Sequence, residues 1–415
     1  MLLNIKKNKK EIILLTTIIM LFIIIIAIIS FSNYALVTTS SKEKIINDAD
    51  NIYDIYEQNI IYDKDGITLF EMQSNKKRLI SNKGAYGKIY KDNVIYLWVD
   101  GVEEKIEVYK ISVGGIKEIR EKLIGGTSNP SIYENKVIWA DVRKYPDYDN
   151  NDIYLYDLSK NSEIKLYTEK SWKGGLDIYK DFIIYSSNKN EQLDIYIYDL
   201  SVNSEEVISS AYGDQWNPKV FKNIIIWIDE RGNYPEIYYY NMDTGKEKKV
   251  PESEGAYNID IYGDYIVWDT SSVSREGTNI YLYDISTGET KIIEDNDNGY
   301  SPKIYKNRIV WFDKDGGIYL YTFPTKESNI YLGIVILLTI VIIILVITLI
   351  WIRIKKRRLA KLEVKNEEEI IKTKDLESKP NIFQCPSCNK SFKLTEPKRP
   401  VTIKCPHCGE KGEIK

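Results

Sequence analysis

Residues 40–323 alternate short apolar runs with turn residues, most plainly in the unit from Asn129 to Thr168. That unit holds four extended runs, PSIY, KVIWAD, DIYLYD and SEIKLY, parted by polar turn residues. The second run of most such units is apolar at consecutive positions, as in Val137-Ile138-Trp139 and Ile224-Ile225-Ile226-Trp227. Continuous apolarity suits a strand covered on both faces. The fourth runs alternate instead, as in Glu163-Ile164-Lys165-Leu166 and Glu289-Thr290-Lys291-Ile292, the pattern of a half-wet strand. Asp65-Gly66, Asp315-Gly316, Thr244-Gly245 and Thr287-Gly288 supply the backbone freedom that tight hairpins need. Each unit therefore predicts a four-stranded antiparallel sheet with a buried inner side and a wet rim.

Aligned on an Ile-Tyr pair, the units begin at Ile55, Ile89, Ile132, Ile178, Val220, Ile261 and Ile304, with spacings of 34, 43, 46, 42, 41 and 43. Four strands per period of about 40–45 residues describe a β-propeller, here of seven blades; helical repeats near 33–34 residues would show 3.6 periodicity. The last unit runs into Pro324 without a fourth strand, whereas SSKEKIINDADN (40–51) resembles the fourth strand of the sixth unit, STGETKIIEDNDN (286–298). An N-terminal strand is thus expected to complete the last blade and leave no bare sheet edge. Both ends of the ring then lie on one face. The opposite face displays the inter-blade loops and the loops between second and third strands, which carry Tyr145, Tyr148, Trp172, Trp216 and Tyr234. Exposed aromatics there suit stacking on a sugar or gripping a protein; the alternative is that Trp172 and Trp216 plug the ring between blades.

Hydropathy and charge divide the rest. Two apolar runs, 12–31 and 330–352, are long enough to cross a bilayer. The flanking basic clusters, Lys6, Lys7, Lys9, Lys10 and Arg353, Lys355, Lys356, Arg357, Arg358, place residues 1–11 and the C-terminal part in the cytoplasm and the propeller outside the cell. The rival reading of the first run is a cleavable secretory signal; its length and the lack of an A-x-A site favour an anchor. Residues 36–328 carry 36 Lys/Arg against 50 Asp/Glu, so the exported ring is acidic. All four cysteines follow residue 384, consistent with a reduced cytoplasmic set.

The WADVR, DIYLYDL, NPSIY, WIDER and NPKVF segments resemble the TolB-like or WD40-like propeller repeats of archaeal and Gram-positive cell-surface proteins. The resemblance spans residues 40–323, is weakest in the first two blades, and implies a fold and a surface location rather than one activity. Asp141-x-Arg143 and Asp229-x-Arg231 are read as turn or inter-blade ion pairs before a polar site. The run Asp147, Asp149, Asn150, Asn151, Asp152 gathers oxygen ligands of the kind Ca²⁺ prefers; it lacks the Gly and Glu of the helical calcium loop, as do Asp295 and Asp297, so solvated acidic turns are expected. Residues 36–328 contain neither His nor Cys, which removes His-based acid–base chemistry, Ser-His-Asp triads and Cys nucleophiles.

The C-terminal Cys385-Pro-Ser-Cys388 and Cys405-Pro-His-Cys408 are separated by sixteen residues. Two such knuckles predict a zinc ribbon at 381–415, one structural Zn²⁺ held by Cys385, Cys388, Cys405 and Cys408. Residues 353–380 read as a charged helical linker. The ribbon is basic but offers no aromatic platform for nucleic acid, so a cytoplasmic protein contact or a folding role is expected. The whole reads as an all-β cell-surface protein with two transmembrane helices, binding an extracellular protein or glycan without catalysis. The alternatives are an envelope scaffold and a carboxylate-dependent hydrolase or lyase needing an Asp/Glu pair in the central funnel.

Overall fold

The computed structural model describes residues 40–377, apart from 102, 125–126, 144–149, 167, 271–277, 296–297 and 325, together with 382–393 and 401–414. The expected first span, 12–31, lies outside them.

Seven four-stranded antiparallel sheets follow one another along residues 41–322. Six are built from consecutive strands; the seventh combines Gly299–Tyr305, Arg308–Asp313 and Ile318–Thr322 with Ser41–Ile46 as its outermost strand. Ser41 pairs with Thr322 and Lys44 with Tyr319. The N-terminal strand thus closes the ring as its sequence predicts, although it ends at Ile46, and Asn51 already opens the first blade. The weakly matching first two repeats form the same sheets as the others.

The second strands are buried almost throughout: Ile224–Asp229 has no exposed position, whereas all of Lys246–Lys249, the fourth strand of that blade, is exposed. Apolar clusters lie between neighbouring sheets. One joins Ile226, Trp227's neighbour Ile228 and Ile237 of the fifth blade to Ile259, Ile266 and Trp268 of the sixth; another joins the seventh to the first through Val310, Ile318, Ile52 and Ile60. Sheet-to-sheet burial of this size holds the ring without cross-links.

Ser41, Thr322, Arg308 and Tyr305 stand at one level of the last blade. Phe323 is fixed there: its N–H donates to the Asn307 carbonyl (3.0 Å) and its carbonyl accepts from the Asn307 amide (2.7 Å). Both ends of the ring therefore leave from the face carrying the turns between first and second strands.

The chain divides into two units, Met1–Asn329 and Ile330–Lys415. One helix, Lys326–Glu377, runs for 52 residues, about 78 Å at the usual rise. Its apolar stretch is long enough to cross a membrane by length and composition, and Leu337, Leu338, Ile343, Ile344, Leu349 and Trp351 are exposed. Among the described residues it is one such helix; the other expected span, 12–31, lies outside them. The helix continues through Arg353–Arg358 without a break, so the expected boundary between span and charged linker is a change of composition only.

Candidate functional site

In a strand, side chains two residues apart share a face. Each first strand carries an Ile or Val in the core, such as Ile55 and Val220, so the residues on either side of it point the other way, into the channel. The residue after it is Tyr56, Tyr90, Tyr133, Tyr179, Phe221, Tyr262 or Tyr305 in the seven blades. These rings touch in a closed circuit, with centroids 4.4–5.2 Å apart and planes tilted by 40–57°. Tilted contacts at such spacings are the favourable aromatic geometry. The collar narrows the channel at the face from which the chain leaves.

The residue before the Ile or Val is Asp54, Lys88, Ser131, Asp177, Lys219, Asp260 and Lys303 in blade order. No two like charges are neighbours. Strict alternation is impossible around seven positions, and Ser131 supplies the neutral break. The aspartates latch each blade to another's backbone: Asp54 Oδ2 accepts the Ile89 N–H (2.9 Å), Asp177 Oδ2 the Val220 N–H (3.0 Å) and Asp260 Oδ2 the Ile304 N–H (2.9 Å). Asp177 Oδ1 accepts from the Ser131 hydroxyl (2.9 Å). Among the described residues, no carboxylate lies within 4.0 Å of the Lys88, Lys219 or Lys303 ammonium group.

Above this layer the first strands of six blades are bulged. Tyr86, Asn217 and Ser301 adopt positive φ of 55°, 53° and 52°, and Gly175 (φ +63°) occupies the same place in the fourth blade, where a Cβ would meet Pro218 Cδ at 3.0 Å. Bulges widen and re-aim a strand. They open a funnel of about 410 Å³ on the face opposite the collar, lined by Asn51, Asn129, Asn217, Asn258, Ser128 and Ser301, with Trp172 also on its wall and Lys88, Lys219 and Lys303 reaching it from the charged layer. Among the described residues, no Asp or Glu lines it. The lysines are half-buried. Burial pushes Lys219 down to about 8 and lowers Lys303. It also opposes charge on Lys88, but the fields of Asp54, Asp260 and Asp177 outweigh it and raise that group.

A second site is the four-cysteine cluster, in which the four sulfurs lie within 4.8 Å of one another. Two hairpins present it, Ile382–Gln384 with Ser391–Lys393 and Val401–Lys404 with Lys411–Ile414. After each leading cysteine the chain turns back tightly. Asn389 N–H donates to the Cys385 carbonyl (2.8 Å) and Gly409 N–H to the Cys405 carbonyl (2.9 Å), with positive φ at both residues. Cys385–Cys408 and Cys388–Cys405 sulfurs are 3.7 Å apart, too far for a disulfide. A tetrahedral tetrathiolate with metal–sulfur bonds of ~2.3 Å has edges of ~3.8 Å, so the donor set fits one metal ion. His407 is exposed beside it.

The ring shares its fold with many solved propellers. No family model matches the chain, and no curated protein matches it. Among solved structures, oligogalacturonate lyase from Vibrio parahaemolyticus is 10% identical, with a TM-score of 0.54 over 69% of this chain and 97% of that one. The β-propeller domain of the Trilobed protease from Pyrococcus furiosus is 12% identical, with a TM-score of 0.52 over 67% and 94%. TolB from Acinetobacter baumannii is 14% identical at a TM-score of 0.43, over 65% and 78%. At such low identity the likeness to the lyase and the protease domain shows the propeller fold alone.

Of the residues singled out from sequence, Trp172 lies on the funnel wall, 37% exposed. Trp216 is on the same face but half-buried, edge-on to Tyr257, its indole donating to Glu230 (2.8 Å). Tyr234 is exposed in a second-to-third-strand loop, and Tyr145 and Tyr148 lie outside the described residues. Asp141-x-Arg143 and Asp229-x-Arg231 are structural, with one correction: they clamp strands within a blade rather than between blades. Arg143 bridges Asp141 to Glu163 while lying 3.5 Å from the Tyr154 ring centre, and Trp139 donates to Asp141; Arg231 joins Asp229 to Glu247 over Tyr238 in the same way. The suggested calcium run is otherwise occupied: Asn151 exchanges two hydrogen bonds with the Lys173 backbone and Asp152 pairs with Lys165 at 2.7 Å, while Asp147 and Asp149 lie outside the described residues. Asp295 is exposed, and Asp297 is also outside them. The Lys/Asp layer and the aromatic collar were missed from sequence, although comparing the residues flanking the aligned Ile or Val would have revealed both.

Proposed function

We propose that this chain is a membrane-anchored cell-surface binding protein whose propeller takes its ligand through the funnel. The observation that carries the reading is the opposition of two faces: the chain leaves for its apolar helix from the collar face, and the funnel opens on the other. The funnel is a concave polar site, the usual shape of a ligand site, on the ring face opposite the one from which the chain leaves. A carboxylate-dependent hydrolase has less support, because among the described residues lysines rather than carboxylates line the funnel. The four cysteines hold a structural Zn²⁺ in this reading, since a full set of four thiolates leaves no position for substrate. Chelation should then unfold the tail and leave ring melting unchanged, measured by metal content and limited proteolysis.

The binding role is tested by probing glycan and protein arrays with the full chain in detergent, beside a Trp172→Ala variant that melts normally. Hits that weaken in the variant support the reading. An absence of hits from folded protein contradicts it and favours an envelope scaffold.

A further inference from the structure

We infer that the funnel selects an anionic ligand, a sugar acid or sugar phosphate whose negative group is held by Lys88, Lys219 and Lys303 together. This rests on the binding role proposed above and names its ligand class. Three observations carry it. The three lysines reach the cavity from blades two, five and seven, so they converge from around the channel rather than lying along one strand. The aspartates of the same layer, Asp54, Asp177 and Asp260, turn to backbone N–H groups of other blades and do not line the cavity, so the lysine ammonium groups are the charges that face it. The remaining wall is amide, hydroxyl and aromatic, with Asn51, Asn217, Asn258 and Ser301 as hydrogen-bonding groups and Trp172 as a stacking face. Charge-assisted bonds fix the anion and the wall recognises the rest of the ligand.

The charge pattern adds a selectivity argument. Residues 36–328 carry 50 acidic against 36 basic side chains, so the outer surface repels anions, whereas the charged groups that line the funnel among the described residues are lysines. Screening over about 8 Å at physiological salt leaves the local lysines in control once a ligand has entered. Lys219 faces Asp177, Asp260, Lys88 and Lys303 and titrates at about 8; an anion favours its charged form, so affinity should fall as pH rises through that value.

Calorimetric titration of the full chain with glucuronate, glucose 6-phosphate and glucose tests the inference. Both anions are expected to bind and glucose not, with the tighter anion identifying a carboxylate or a phosphate source. Lys219→Met and Lys303→Met should each weaken binding by about tenfold or more, the scale of a lost charged hydrogen bond. In the unmodified chain binding should weaken above pH 8 and with added salt, which keeps the test valid if a variant misfolds. Glucose binding as well as glucuronate, or anion binding indifferent to both substitutions and to pH, overturns the lysine site while leaving the binding role intact. Failure of both anions, with array hits retained, overturns the anion class alone; failure of the arrays as well overturns the binding role.

Discussion

The two ends of the central channel are made by the same seven strands, yet one is a collar and the other a funnel. At the collar end an aromatic follows every core Ile or Val, and the rings close on one another. Two residues earlier the same inward column carries charges, and beyond them bulges pull the strands apart. A repeat can therefore hold stability and recognition in adjacent layers. Uniform residues at one layer tie the ring; varied residues at the other leave groups unspent for a ligand.

If that division is right, substitutions should separate by layer. Tyr262→Ala, which removes contacts to Phe221 at 4.4 Å and Tyr305 at 4.9 Å, should cost ~3 kcal/mol in denaturant unfolding of the ring. Asp177→Ala strands the Val220 N–H and the Ser131 hydroxyl and should cost ~2 kcal/mol by the same measurement. Trp227→Phe should cost ~1–2 kcal/mol more than Trp268→Phe. Trp227 donates to Asp229 (2.9 Å), whereas among the described residues the Trp268 indole N–H has no partner. Lys303→Met should change stability by less than ~1 kcal/mol, and in the stabilising direction, because it removes a half-buried charge without an ion pair. A large loss there would show that the lysines are structural and would erase the distinction between layers.

The ring itself was legible because strand two of each blade repeats its apolar run and because Ser41–Ile46 copies a fourth strand, so a period and a missing edge sufficed. The cysteine cluster was equally plain, since two short knuckles specify their own geometry. The funnel was less so. Its lysines sit at a position where the repeat tolerates Asp, Lys or Ser, and a search for recurrence passes over a column defined by alternation. Trp172 was identified for exposure alone; its ring lies against Gly174, where a Cβ would collide with it, and this packing on the bulged strand sets it on the cavity wall. The Trp-Asp-Arg motif drew attention by its recurrence, which reflects an intra-blade clamp needed in each repeat. In the proposed reading, function resides in what the repeats do not share.

The most direct test of the open-funnel account is the reactivity of Lys219 toward a small acylating reagent at pH 8, followed by peptide mass spectrometry of the full chain. Lys219 has a lowered pKa and lies on an open cavity, so the account predicts early modification, slowed by glucuronate. Lys219 remaining unmodified while exposed lysines such as Lys246 react would contradict it, because the funnel would then be closed to solvent.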